Sequence, residues 1–198
     1  MKKIKEIVLA TGNQHKVAEI MKIMADLKSV KFISLKEFPK IIIPEETGQT
    51  LRENALIKAM HVARETKQWT LADDTGLEVD ALNGKPGVSS ARYAGETATY
   101  EDNNKKLLKE LSEISQKKRT AKFKTISCLC SPDGLAFFEE GILEGEISLS
   151  PKGDNGFGYD PIFIVKDSNK TLAELTDTEK NALSHRARAF QNIKKYIN

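Results

Sequence analysis

Ile4-Lys-Glu-Ile-Val-Leu-Ala10, running into Thr11-Gly-Asn-Gln-His-Lys16, decides the fold. The apolar run ended by Thr11-Gly12-Asn13 is the pattern of a buried strand. Beyond it Val17, Ile20, Met21, Met24 and Leu27 recur at helical spacing, with Asn13 as the N-cap. Val30–Ser34 is a second short strand, so the chain opens strand, helix, strand.

The rest extends this alternation. Thr50-Leu-Arg-Glu53 is a capping box for a helix that shares Leu51, Ala55, Ala59, Val62 and Ala63 on one face. Thr70–Ala72 and Leu77–Val79 flank an expected acidic turn, and a third helix from Thr99 turns Leu107, Leu108, Leu111 and Ile114 inward. Ala121–Cys130 and Leu135–Leu143 flank Pro132-Asp133-Gly134, a hairpin signal. Gly145–Leu149 and Pro161–Val165 are strand-like, and a helical end puts Leu183, Ala187, Phe190, Ile193 and Ile197 inward. The expected class is α/β: a mixed twisted β-sheet with flanking helices, one domain over residues 1–198, its two lobes around a central substrate cleft.

Composition excludes several classes. The 198 residues are 39% hydrophobic and 30% charged, with Gly 12 and Pro 6, which excludes disordered and collagen-like chains. A chain of this length buries roughly 70% of its unfolded surface, enough for a real core. No apolar run approaches the ~20 residues that cross a bilayer, so no membrane partner is expected. Met1-Lys-Lys-Ile-Lys-Glu6 has the charge of a signal peptide, but Ile7–Ala10 is too short for its apolar core. The expectation is a cytoplasmic protein.

Net charge is +3, from Lys+Arg 31 against Asp+Glu 28, which is no nucleic-acid footprint. The basic stretch Lys117-Lys118-Arg119 with Lys122 and Lys124 reads as a solvated face, so no nucleic acid is expected. Cys128 and Cys130 lack the further ligands of a zinc site and read as buried strand residues.

Four segments carry chemistry. Thr11 to Lys16, between strand and helix, offers backbone N–H groups, the positive end of a helix, two polar side chains and a lysine, which suits phosphate. The same residues also make an ordinary capped turn. Glu45-Glu46 and Asp73-Asp74 are hard oxygen donors of the kind that hold Mg²⁺ against phosphates, and equally are common turn residues. Gly156-Phe-Gly-Tyr-Asp160 suits a flat ring against backbone, with an aromatic to stack and Asp160 to accept from ring N–H groups; a flexible aromatic loop has the same composition. Lys180 and Ser184-His185-Arg186 are basic. In one continuous helix Lys180 would stand about 140° from His185 and about 120° from Arg186. A shared role therefore requires a break near Leu183, with Ser184 capping the last segment; otherwise they form a solvated face.

Together these segments resemble one family. Thr11-Gly-Asn-x-x-Lys16, Pro44-Glu-Glu-Thr-Gly48, Glu53-Asn-Ala55, Ala72-Asp-Asp-Thr-Gly-Leu77 and Pro86-Gly-Val-x-Ser-Ala-Arg-Tyr-Ala-Gly95 are its motifs. Phe157-Gly-Tyr-Asp-Pro161, Ala173-Glu-Leu175 and Glu179-Lys-Asn-Ala-x-Ser-His-Arg186 follow in family order. The chain resembles the inosine triphosphate pyrophosphatase family of non-standard purine nucleoside triphosphate diphosphatases. That resemblance implies Mg²⁺-dependent hydrolysis of ITP, dITP or XTP to monophosphate and pyrophosphate by a homodimer. It implies that Thr11, Gly12, Asn13, Gln14, His15 and Lys16 hold the triphosphate, with no individual role for His15. Lys58 would reach phosphate, and Thr75 would touch substrate where relatives often carry Ser. Glu45 and Asp74 would hold Mg²⁺, with Asp74 the catalytic proton acceptor. Phe157, Gly158, Tyr159, Asp160, Lys180, His185 and Arg186 would bind substrate, chiefly the base.

Overall fold

Three capping boxes start α-helices among the described residues, and each satisfies N–H groups that the first helical turn leaves without partners. In the computed structural model, which describes residues 4–197, Glu53 N–H donates to Thr50 Oγ1 at 3.1 Å and Thr50 N–H returns to Glu53 Oε2. Thr99 with Asp102 and Thr176 with Glu179 repeat the device. The elements run β1 (Glu6–Leu9), α1 (Gln14–Ile23), β2 (Lys31–Ser34), α2 (Leu51–Thr66), β3 (Trp69–Val79) and β4 (Pro86–Gly87). Then come α3 (Tyr100–Glu110), β5 (Thr120–Cys130), β6 (Ala136–Ile147), β7 (Phe163–Val165), α4 (Asp177–Leu183) and α5 (His185–Ile193).

The sheet is mixed, in the order β2-β1-β3-β5-β6-β7, with β4 paired to β3. β1 lies parallel to both neighbours, Ile7 opposite Phe32 and Trp69, as the opening alternation predicts. β6 and β7 are antiparallel, with Gly145 opposite Val165. The hairpin turn between β5 and β6 closes through Gly134 N–H donating to Ser131 O at 3.0 Å.

The chain divides into two compact units. The first comprises residues 4–74, 125–141 and 186–197 of those described. Its core joins Ile7 and Leu9 of β1, Ile20 and Met24, Leu71, Leu129, Phe190 and Ile193. The second comprises residues 75–124 and 142–185, with a core of Leu77, Leu107, Leu111, Phe123, Leu143, Ile147, Phe163 and Leu172. Each large side chain so buried contributes about 1.5–3 kcal/mol. Cys128 and Cys130 are buried free thiols of β5.

Several expectations need correction. Asp73 and Asp74 form no turn: β3 continues unbroken from Trp69 to Val79, because both carboxylates are buried against cations and need no solvent. Met21 is 45% exposed, since it stands about 100° on from Ile20, away from the buried stripe. Gly145–Ile147 ends β6 rather than forming a strand of its own. Arg119 is buried, not solvated, and donates to the carbonyls of Ile114, Ser148 and Leu111. The opening residues 1–3 lie outside those described.

The β6–β7 pairing requires a bare backbone at Gly145. A Cβ there would lie 2.2 Å from Ile164 O and 2.6 Å from the Phe163 ring. Gly145→Ala is therefore expected to cost about 1–3 kcal/mol, seen in a thermal melt as a Tm lowered by about 2–4 °C per kcal/mol. An unchanged Tm would contradict that close approach.

Candidate functional site

The first unit gathers charge at the start of α1. Asn13, in an extended conformation, caps the helix by accepting from His15 N–H at 3.0 Å and Lys16 N–H at 3.3 Å. Asn13 N–H itself donates to Thr11 Oγ1, and Thr11 N–H to Leu9 O. Fewer amides therefore face outward here than the turn alone predicts, because the cap competes for them. Gly12 and Gln14 are exposed, with Gln14 Nε2 donating to Gly12 O, and His15 is exposed. Lys16 points to β3, its ammonium 3.0 Å from Asp73 Oδ2.

Asp73 is the centre of a buried ion cluster. Arg186, at the start of α5, brings Nε to 3.4 Å of the same carboxylate and Nη1 to 2.6 Å of Glu19. Burial pushes Asp73 toward the protonated form, yet Lys16 and Arg186 outweigh it and hold the carboxyl well below the usual carboxylate range. Burial also lowers Lys16, with Asp73 opposing.

Asp74 faces a different set. Its Oδ2 accepts from Asn54 Nδ2 at 3.2 Å, and Lys58 Nζ stands 3.5 Å from Oδ1. Lys58 also pairs with Glu46. Burial, joined by the nearby Glu46 charge, raises Asp74 from its ordinary value although Lys58 opposes it. Burial likewise disfavours the Lys58 cation, but Asp74 and Glu46 outweigh it and raise its pKa. Asn54 also fixes the preceding loop, since its Oδ1 accepts from Gly48 N–H at 2.8 Å. Glu45 in that loop is exposed.

The second unit holds the aromatic segment. Lys180 Nζ reaches Asp160 Oδ2 at 2.7 Å, both side chains only 5% exposed. The same carboxylate oxygen accepts from Phe157 N–H at 2.8 Å. The Lys180 ammonium also stands 4.9 Å from the Phe157 ring centre, in cation–π range. Gly156 has φ +79, and a Cβ there would lie 2.1 Å from Asp160 Oδ2, so the turn closes on its own carboxylate only with glycine. Tyr159 is buried and donates its hydroxyl to Ser90 O at 2.8 Å. His185 is buried and stacks on Phe123, ring centres 4.5 Å apart. Thr75 is half-buried in β3.

The helical break expected near Leu183 is present: Ser184 is extended, φ −64 and ψ 154, between α4 and α5. Lys16, Lys58, Asp74 and Arg186 thus lie in the first unit, with Asp73 and Glu46 between them. Phe157, Asp160 and Lys180 meet in the second. The sequence reading gave Asn54 and Glu19 no role. Asn54 and Lys58 stand four residues apart on the otherwise apolar face of α2, a polar pair that marks them. Glu19 follows Lys16 by three residues on α1, which puts the two on one side of that helix.

Among the described residues no group of three or more His, Cys, Asp or Glu is gathered as a metal site. The donor chemistry nonetheless fits Mg²⁺. Glu46 and Asp74 offer oxygen only and already converge on one cation, the Lys58 ammonium. Mg²⁺ commonly takes one or two carboxylates and completes its shell with water and phosphate.

The Ham1 family model matches residues 7–196. A protein of Elusimicrobium minutum named dITP/XTP pyrophosphatase is 52% identical over 97% of this chain and 99% of its own length. A HAM1 protein structure from Coxiella burnetii superposes with a TM-score of 0.89 at 43% identity, covering 98% of each chain. The Staphylococcus aureus Ham1 structure gives 0.85 at 40%, again over 98% of each. With a family match over nearly its whole length and relatives this similar, the chain belongs to the Ham1 family.

Proposed function

We propose that this chain hydrolyses non-standard purine nucleoside triphosphates (dITP, ITP and XTP) to the monophosphate and pyrophosphate, removing them from the nucleotide pool. The observation that carries the reading is the set of partly buried Lys16 and buried Lys58 and Arg186 with buried Asp73 and Asp74: fixed cations beside carboxylates, as a metal-bound triphosphate requires. The dITP/XTP pyrophosphatase relative at 52% identity supports it. The proposal includes Mg²⁺, one catalytic domain over residues 1–198, a cytoplasmic setting and a homodimer, the last resting on family resemblance.

Thr11 to Lys16 and Lys58 take the triphosphate, and Asp73 keeps Lys16 oriented. Asp74, with Glu45, is the place for Mg²⁺, which when bound would supply neutralising charge to phosphate oxygens. Water attacks the α-phosphorus, the bond to the α–β bridging oxygen breaks, and pyrophosphate leaves. Asp74 accepts the proton of that water, the role the family resemblance gives it. The chain's cations stand ready for the charge that develops on the leaving group.

Phe157, Gly158, Tyr159, Asp160, Lys180, His185 and Arg186 take the base, with Thr75 as a further substrate contact. Hypoxanthine and xanthine present a keto oxygen where adenine presents an amino group. Donors such as His185 and Arg186 pair with the oxygen and would be left unmatched by adenine. A buried donor without its partner costs about 1–3 kcal/mol, a tens- to hundredfold rejection.

Pyrophosphate release from dITP, dATP and dGTP, with and without Mg²⁺, tests the reading. Release from dITP should exceed that from dATP at least about tenfold and should cease when Mg²⁺ is chelated; equal rates on all three would defeat the base argument. Asp74→Asn should lower dITP turnover by at least about a hundredfold. Full turnover by that variant would remove Asp74 from both its roles.

A further inference from the structure

The base-side turn of the second unit is braced by a residue that no family motif above includes. Asn104 of α3 is buried and donates Nδ2–H to Gly158 O at 3.0 Å. Its other amide atom, Oδ1, is buried and finds no hydrogen-bond donor among the described residues. Half of this side chain therefore opposes stability, because a buried acceptor has lost its water and gained nothing. An apolar residue would avoid that cost, and violations of this kind concentrate where a fold serves a site.

The gain lies in what Asn104 holds. Gly158, at φ +67, sits inside the turn whose Phe157 N–H and Lys180 both engage Asp160. One turn earlier on α3, Tyr100 meets the Phe157 ring at 6.0 Å. Tyr159 is tied to Ser90 O. The carbonyl of Gly158 is thus the point at which α3 fixes a peptide plane between Phe157 and Tyr159.

We infer that Asn104 is a positioning residue for substrate selection: its bond to Gly158 O orients the Phe157–Asp160 turn and thereby sets how well the base is discriminated. The effect on discrimination rests on the pyrophosphatase reading, whereas the effect on the turn does not. Asn104→Leu removes donor and unmet acceptor together, and Asn104→Ala does so without added bulk. Both also strip Gly158 O of its donor, so Tm should fall only slightly, while amide hydrogen exchange quickens at Phe157 and not across the rest of the unit. KM for dITP should rise about tenfold with kcat within about twofold, and the preference for dITP over dATP should narrow.

Unchanged exchange at Phe157 in both variants would overturn the inference. So would a lowered Tm with faster exchange throughout the unit, which would make Asn104 a packing residue only. Absence of dITP hydrolysis by the wild-type protein would overturn the activity reading instead, and the exchange result would still decide the positioning role.

Discussion

The first unit depends on a carboxylate placed where water does not reach. Asp73 has a fully buried side chain, and a lone buried charge is strongly unfavourable. Lys16 and Arg186 make it tolerable, and so three segments far apart in sequence meet at one point: the start of α1, the middle of β3 and the start of α5. Breaking such a buried pair by deleting one partner typically costs about 3–5 kcal/mol. Well-packed apolar residues could give equal stability, so the cluster is better explained by what it presents than by what it stabilises. It presents fixed positive charge beside a second carboxylate, Asp74, whose partners are arranged otherwise.

The contrast between these adjacent residues is the chemical content of the strand. Asp73 faces two cations and is held ionised. Asp74 faces one cation shared with Glu46, and burial raises its affinity for a proton. Successive strand residues point to opposite faces, so a single dipeptide can address two environments. Neighbouring carboxylates thus have their proton affinities driven apart by what each one faces. In the second unit Asp160 plays a third part, joining Lys180 to the backbone of its own turn.

Much of the architecture was legible in the sequence. The apolar run before Thr11 gave β1, Thr50 and Glu53 gave the start of α2, and Pro132-Asp133-Gly134 gave the hairpin. The break at Ser184 was expected only on condition that Lys180, His185 and Arg186 share a role, since in one helix Lys180 and His185 would diverge. Besides the exposed Met21 and the end of β6, failures came where a polar residue is buried. Asp73-Asp74 read as a turn because local rules send carboxylates to solvent, and partners 57 and 113 residues away override them. Arg119 failed for the same reason, its guanidinium being consumed by three carbonyls. Asn54 and Glu19 were passed over although their helical spacing to Lys58 and Lys16 marks them, because their partners Asp74 and Arg186 lie far along the chain.

Turnover of dITP in ¹⁸O-labelled water, followed by ³¹P NMR, tests the central claim most directly, because it reports which phosphorus the water attacks. The account predicts label in the monophosphate alone, with unlabelled pyrophosphate. Label in the pyrophosphate, or release of orthophosphate with a diphosphate as co-product, would contradict it.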